Sequence, residues 1–551
     1  MEEFDTIIIG SGVGGLSTAI CLARAGQKVL VLEQHYVPGG WSHSFSLQGQ
    51  RFSPGVHYVG LLDEGQSTNE LYRGLGIAND MVFFRMNKNG YEHGIIGGET
   101  FNFPAGVDNL AKVLITRFPK EEKNIIEYLT LVQRVNRELQ LIPKLKGFWQ
   151  NITVPFRTKH FGKFSLFPLK RVIGWHIKDP LLKAVLNVQC GDHGLSPKRA
   201  CFPVHCSVMS HYFDGGFYPM GGGGGIVKAM TNGVKKNGGE VRVKQDVKKI
   251  IIENKKAIGV QLHDGQIIYA KNIVSNADPA ITYLNLVGKS NLSNGLIKKL
   301  EKTKYSVTSL ILFLTLDMDV TRFGIDSGNI WLMKDENDDA NFDDLMHSTI
   351  AEGDMFPAVF ISCTTIKDPV SFNGRYHNFE VVTYVNYDNI ADFNGLEDYH
   401  NPEYAVFKEK VINKLMNTIE KVIPGAKQHI IQVELGTPKT NEFYVNSTRG
   451  NVYGTEKTLN QVGPFSYKNK SEIKNLFLCG ASTLSHGVGG ATHSGLAAAA
   501  TIMGCKPEDL LIEDANQKLR IYDAEDPATW PDWIHVKRDH KLRKFEDLKV
   551  H

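Results

Sequence analysis

The chain has 551 residues, 42% apolar and 22% charged, and a formal net charge of +3. That length exceeds what one ordinary core serves, so two closely packed domains are expected. The nearly balanced charge offers no basic field for nucleic acid, and no run of about 18 apolar residues predicts a membrane-spanning helix.

Residues 4–33, FDTIIIGSGVGGLSTAICLARAGQKVLVLE, read as strand, glycine turn, helix, strand and acid. Thr6–Ile9 is a β-branched run. Gly10, Gly12 and Gly15 have G-x-G-x-x-G spacing, with Gly14 in the same turn. Leu16–Arg24 is apolar at helical period, and Val29–Leu32 is a strand ending at Glu33. In such a unit the first glycine permits a tight turn. The second lets backbone approach a pyrophosphate, and the third lets the helix lie on the sheet. The helix N-terminus turns free N–H groups and a positive dipole end toward phosphate. Glu33 can accept hydrogen bonds from both ribose hydroxyls and would repel a 2′-phosphate, which argues against NADP. The opening MEEFDT is acidic and enters the first strand directly. It therefore predicts neither a secretory signal nor a transit peptide, and a cytoplasmic location.

Further along, Gly39-Gly40 in LEQHYVPGGWSHSF offers a second close backbone approach, as the long ribityl and pyrophosphate of FAD require; a plain turn after Pro38 is the alternative. Residues 106–146 are amphipathic and helical. Residues 141–177 carry Lys144, Lys146, Arg157, Lys159, Lys163, Lys170 and Arg171 with no acid, interleaved with Phe148, Trp149, Phe156, Phe161, Phe164, Phe167 and Trp175. That mixture suits a membrane interface and predicts peripheral bilayer contact; an inserted core with a basic rim is the alternative. Gly221–Gly225 precedes a helix and either hugs a ligand or frays. Residues 238–279 read as consecutive strands. The backbone amide and carbonyl near Val247 are placed to pair with an adenine edge, and VSNAD re-enters the nucleotide sheet. Residues 306–450 mix strands such as Ser309–Leu316 and Phe379–Val385 with a helix over Tyr404–Ile423. NLFLCGASTLSHGVGGATHSGLAAAATIMG, residues 475–504, reads as a strand to Gly480, a loop through Gly487, Gly489 and Gly490, and a helix from near Ala491. That helix would aim its positive end at a flavin, whose reduction places negative charge on the ring. The last forty residues are polar. They form either a surface extension or a tail packed on the body. The seven cysteines are scattered, only Cys201 and Cys206 being close, and read as reduced core thiols with no metal site.

The expected fold is α/β. A Rossmann-type FAD-binding domain of the glutathione reductase and amine oxidase kind is assembled from 1–75, 215–285 and 465–510. An α+β substrate domain spans 76–214 and 286–464, and 511–551 is the extension. The chain resembles the phytoene desaturase, carotenoid isomerase and retinol saturase family of FAD-dependent enzymes. The resemblance runs from about residue 4 to 505, through VLEQHYVPGGWSHSF, FSPGVHYVG, FPKEEKNIIEYLTLV, HYFDGGFYPMGG, TNEFYVNSTRGNVYG and the terminal glycine loop. It implies that Gly10, Gly12, Gly15, Glu33, Gly39, Gly40, Gly55, Gly480 and Gly490 line FAD. Trp41 departs from the small or polar residue common there. Members saturate, desaturate or isomerise polyenes, so the resemblance leaves the reaction direction open.

Polyene chemistry asks the protein for an apolar tunnel, exclusion of water and, for saturation, a proton donor. The candidates are His57, Tyr58, Tyr218 and His493, with His486 in the same terminal loop; each is also readable as a packing residue. No second fingerprint for NADPH occurs, so electrons are expected from a separate donor. The leading expectation is a reductase of a lipophilic retinoid or carotenoid C=C bond. A desaturase or cis–trans isomerase comes next, then a flavin-containing lipid carrier without turnover. An amine oxidase-like enzyme would need an aromatic pair facing the flavin, and Tyr444 and Tyr453 are only sequence neighbours of that region.

Overall fold

The computed structural model describes residues 3–142, 157–348, 350–390 and 401–550, with side chains through 543. Its nucleotide sheet has seven strands drawn from three separated stretches of chain. Glu3–Ile9 runs parallel to Val29–Leu32 on one side and to Ile267–Ser275 on the other, and Leu476–Leu478 runs parallel to Ile267–Ser275. A parallel pair needs a crossover, supplied by the helix Val13–Arg24, which is buried along nearly its whole length. The register pairs Ile9 with Leu32 and Ser275, and Ser275 with Leu478. The carboxyl ends of these strands therefore share one edge, where ligands of such sheets bind. Glu240–Arg242 extends the sheet beyond Val29–Leu32, and the antiparallel strands Val247–Glu253 and Lys256–Leu262 extend it beyond Ile267–Ser275.

A second seven-stranded sheet is ordered Ile430–Gly436, Thr308–Leu316, His377–Val385, Ala358–Cys363, Asn329–Met333, Glu92–Ile96, Glu99–Phe103. Residues from 76–214 and from 286–464 thus meet in one sheet, through the parallel pairing of Glu92–Ile96 with Asn329–Met333. Every residue of Thr308–Leu316 is buried, because both faces are covered. Ile311 and Phe313 pack with the helical layer that includes Tyr128, Val132 and Phe202. Leu310, Leu312 and Leu314 pack on the opposite face with Val411, Leu415 and Ile419, the two-residue alternation of a strand. The helix carrying the latter spans Pro402–Ile419, shorter at its end than the sequence reading.

The amphipathic stretch forms two helices, Val107–Arg117 and Glu122–Leu141; the second buries Ile125, Tyr128, Leu129, Val132 and Val135 at helical period. Of the basic and aromatic stretch, Lys144, Lys146, Phe148, Trp149 and Phe156 lie outside the described residues. In the described part Phe164 is buried, while Leu166 is 72% and Trp175 49% exposed. The Arg171 guanidinium lies 5.1 Å from the Phe167 ring centre and 5.7 Å from that of Trp175. No described helix is long and apolar enough to cross a membrane.

The polar carboxyl-terminal stretch packs on the body. Arg520–Asp523 pairs with Val82–Arg85, which also pairs with Phe217–Pro219. Trp530 and Ile534 are buried against Phe84.

Candidate active site

Two helix N-termini converge at the shared strand edge. The helix Val13–Arg24 starts after Gly12 and the helix Gly487–Met503 after His486, and neither has a side-chain cap. Their first-turn N–H groups are therefore left for a ligand. The helices touch almost backbone to backbone: a Cβ on Gly495 would lie 2.0 Å from the Gly14 carbonyl oxygen. Thr18 Oγ1 lies 2.9 Å from the Gly14 carbonyl oxygen and 3.0 Å from that of Gly495. Beneath them sits Asn276, the centre of VSNAD. A Cβ on Gly12 would meet its Nδ2 at 2.5 Å, one on Gly14 its Oδ1 at 2.7 Å, and one on Gly480 its Oδ1 at 2.9 Å. Gly10 also lies against Asn276, and Gly15 against the Gly10 carbonyl.

The helix beginning at Gly487 corrects the sequence reading, which placed its start near Ala491. Gly487, Gly489 and Gly490 occupy its first turn rather than a loop. Glycine is a poor helix former, but close packing on the first helix overrides propensity here. Likewise Gly223–Gly225 open the helix Gly223–Lys236.

Glu33 is buried and ties the glycine turns together. It accepts from the Ser11 N–H at 2.9 Å, the Ser11 hydroxyl at 2.6 Å and the His35 N–H at 2.9 Å. Ser11 Oγ in turn accepts from the Gly39 N–H at 2.9 Å. Gly40, at φ +53°, would place a Cβ 3.5 Å from the Gly12 Cα. A carboxylate offers about four acceptor positions, so capacity remains on Glu33 for a ribose hydroxyl. Gln245 N–H donates to the Glu33 carbonyl at 2.8 Å, which brings Val247, two residues on, beside the acidic strand end; Val247 pairs with Leu262. Gly55 lets its loop cross Trp41, whose carbonyl oxygen a Cβ would meet at 2.5 Å; the Trp41 indole donates to the Asn451 carbonyl at 3.2 Å. Gly490 packs on Ser485, and a Cβ on Gly489 would come to 3.8 Å from Thr68 Oγ1 and 4.0 Å from His211 Cε1. A close-approach cradle, two uncapped helix ends and a buried acid at the strand tip fit a flavin adenine dinucleotide.

Beside this cradle the fold buries ionisable side chains. Tyr58, stacked on Tyr212 with ring centres 4.0 Å apart, hydrogen-bonds through its hydroxyl to Glu92 and, at 2.6 Å, to Asp192. The hydroxyl has one proton for two carboxyl groups, so one carboxyl must carry a proton itself. Glu92 also accepts from Gln189 Nε2 at 2.8 Å and Trp331 Nε1 at 3.1 Å, which suits it to the charge. Burial, reinforced by the Glu92 charge, holds the Asp192 carboxyl well above the usual carboxylate range. The Asp192 carbonyl lies 3.0 Å from His486 Nε2 and so accepts its proton, which joins this group to the N-cap of the terminal helix.

A second group joins His57 and Tyr218. His57 Nδ1 lies 2.9 Å from Glu380 Oε2, and Lys367 Nζ donates to the His57 carbonyl at 3.0 Å and to Ser362 Oγ at 2.7 Å. The ammonium sits 5.5 Å from the Tyr218 ring centre, and burial pushes its pKa down to about 7 against the opposing pull of Glu380. His493 stands apart: it keeps solvent-accessible surface while desolvation of its ring by the surrounding protein lowers its pKa, and no described side chain hydrogen-bonds it. Thus His57, Tyr58, Tyr218 and His486 enter two buried networks, and His493 enters neither.

Residues 13–503 match the family model described as flavin containing amine oxidoreductase. The chain belongs to that family. It is an FAD-dependent oxidoreductase. The chain is 28% identical to an all-trans-retinol 13,14-reductase of Danio rerio, over 91% of this chain and 86% of that protein. It is 27% identical to a chloroplastic prolycopene isomerase of Arabidopsis thaliana, over 82% of this chain and 74% of that protein. A crystal structure of an oxidoreductase from Methanosarcina mazei shares the fold with a TM-score of 0.58 at 16% identity, covering 91% of this chain and all of that one. Among flavin containing amine oxidoreductases, an amine substrate would call for two aromatic walls. Tyr384 and Tyr453 do meet here, but their rings tilt by 59°, and their hydroxyls, 2.8 Å apart, both lie within hydrogen-bonding distance of the Gly191 carbonyl, where their two protons serve two of the three contacts.

Sequence reasoning missed Asn276, Glu92, Asp192, Lys367 and Glu380. Glu380 did leave a signal, as an acid inside a largely apolar strand run that is buried along nearly its whole length.

Proposed function

We propose that this flavoenzyme reduces a C=C bond of a conjugated isoprenoid of the retinoid or carotenoid class. The observation that carries the reading is the proton held between Tyr58, Glu92 and Asp192 beside the terminal helix, next to a large apolar cluster of the second domain. Saturation adds a hydride to one carbon and a proton to its neighbour. FAD, once reduced, supplies the hydride. Tyr58 gives its hydroxyl proton to the neighbouring carbon, and the carboxylic proton of Asp192 replaces it on the phenol oxygen. The step leaves Asp192 as a second carboxylate beside Glu92, which the Gln189 and Trp331 donors hold, and a proton from solvent restores Asp192 before the next turnover. The names of the relatives, a retinol reductase and a prolycopene isomerase, support a polyene substrate. The isomerase keeps cis–trans isomerisation as the second reading. Reducing equivalents come from a separate donor, since a second nucleotide fingerprint is absent from the sequence.

The test is mass analysis of products after chemically reduced enzyme meets retinol, lycopene isomers and phytoene. Reduction predicts a gain of two hydrogens on at least one of them. A loss of two, or altered retention at unchanged mass, would replace the reading with desaturation or isomerisation.

The enzyme collects this substrate at a membrane surface, through residues 141–177. Exposed Leu166 and Trp175, with Arg171 laid over the aromatic rings, support that role. Flotation with vesicles containing anionic lipid is expected to carry the protein upward, and the double variant Leu166→Ser, Trp175→Ala to remain below. Equal flotation of both would contradict docking through this face.

A further inference from the structure

The wall that carries Asp192 holds a cluster outside the redox site. Cys190 and His193 lie on the 3-10 helix Val188–His193, where residues three apart eclipse one another. Both side chains therefore project from one face. The helix Phe202–Tyr212 brings His205 against them from its first turn. His205 Nδ1 lies 3.3 Å from His193 Nε2 and 3.8 Å from Cys190 Sγ, and the three ligand atoms all fall within 4.8 Å of one another. Both histidines are fully enclosed.

The tautomer of His205 follows from its other nitrogen. Nε2 lies 3.2 Å from the Leu186 carbonyl oxygen, in the last turn of the helix Pro180–Asn187. A carbonyl only accepts, so Nε2 carries the hydrogen and Nδ1 presents a bare lone pair to His193 and Cys190. A metal-bound imidazole is commonly oriented in this way, one nitrogen ligating and the other donating to a backbone carbonyl. Among the described residues His193 makes no hydrogen bond outside the cluster: its Nε2 reaches His205, and its buried Nδ1 has no partner. The spacing also fits. With Zn–N near 2.05 Å and Zn–S near 2.3 Å, tetrahedral geometry separates two nitrogens by about 3.3 Å and a nitrogen from a sulfur by about 3.6 Å.

We propose that Cys190, His193 and His205 bind one zinc ion, with the fourth position open to a water. Thiolate and imidazole are the donor types zinc prefers. Binding replaces the Cys190 thiol proton, which leaves to solvent, and involves no change of oxidation state. The ion clamps the 3-10 segment to the helix Phe202–Tyr212. It thereby fixes Gly191, whose carbonyl receives the Tyr384 and Tyr453 hydroxyls, and Asp192 beside Tyr58. The role is one of positioning, independent of which polyene is reduced.

The test uses the full-length flavoprotein incubated with zinc alone and dialysed exhaustively. Elemental analysis is expected to find one zinc per chain, and zinc-edge X-ray absorption one sulfur and two imidazole nitrogens in the first shell. Cys190→Ser is expected to weaken zinc binding by more than the roughly 10- to 100-fold that loss of an outer partner costs, with flavin content retained as the check on folding. Chelation of the wild type should lower its thermal midpoint without releasing flavin. Wild-type protein that retains no zinc, a first shell without sulfur, or Cys190→Ser binding zinc as tightly as wild type would each overturn the site. Should the variant fail to fold, the wild-type absorption spectrum decides.

Discussion

Tyr58→Phe is expected to lower turnover of polyene reduction by about 10²- to 10⁴-fold, the range a positioned proton donor supplies. Flavin content and substrate affinity should be left in place. The substitution removes one oxygen and keeps the ring stacked on Tyr212. It also severs the hydrogen-bonded link between Glu92 and Asp192 through a group that can pass a proton on. Some stability goes with it, about 1–3 kcal/mol for buried acceptors left short of a donor; the flavin spectrum and a melting curve separate that cost from the loss of turnover. Glu92→Gln should fall in the same direction, because an amide in the place of the anion meets the Gln189 and Trp331 donors with one oxygen instead of two. Full turnover in Tyr58→Phe would remove this tyrosine from the chemistry and move attention to His57 and Lys367, the neighbouring network.

Gly12→Val is expected to give folded protein largely without flavin. A first carbon there already stands 2.5 Å from Asn276 Nδ2, and the two branches beyond it occupy the approach to the helix N-terminus. Overpacking of this kind costs about 1–3 kcal/mol. Set against cofactor binding, that is roughly 5- to 150-fold in affinity at 1.4 kcal/mol per tenfold. Asn276 is a side chain able to move, so the fold survives. At Gly15 a Cβ would face the Gly10 carbonyl oxygen at 2.2 Å, backbone that cannot give way, and substitution there should compromise folding itself. Gly162→Ala meets nothing within 4 Å and should leave the flavin content unchanged. Measurement is by absorbance ratio and by released FAD. A fully yellow Gly12→Val protein would contradict the cradle.

The nucleotide end of this molecule was legible because its logic is local. Within Glu3–Glu33, strand, turn, helix and acid follow one another in register, and each residue type is dictated by a neighbour a few positions away. Boundaries failed where glycine misled: Gly14 and Gly15, like Gly487, Gly489 and Gly490, belong to helices whose close mutual packing outweighs their poor propensity. The proton network was illegible for the opposite reason. Tyr58 meets Asp192 across 134 residues, and His57 meets Glu380 across 323. No periodicity joins such pairs. His57 and Tyr58 were reached from their place after Gly55, but their partners are fixed only when the second sheet assembles. The Cys190, His193 and His205 cluster was hidden similarly, since its spacing makes sense only once the short helix is known to be 3-10.

The central claim is that one flavin, gripped by the amino-terminal and carboxyl-terminal glycine turns, exchanges hydride with a polyene held in the second domain. Anaerobic reduction until the yellow absorbance bleaches, followed by addition of retinol or a carotenoid, tests it in one cuvette. The account predicts that absorbance returns in proportion to polyene consumed, without oxygen. Enzyme that stays bleached with every polyene, yet recovers its colour in air, would contradict it.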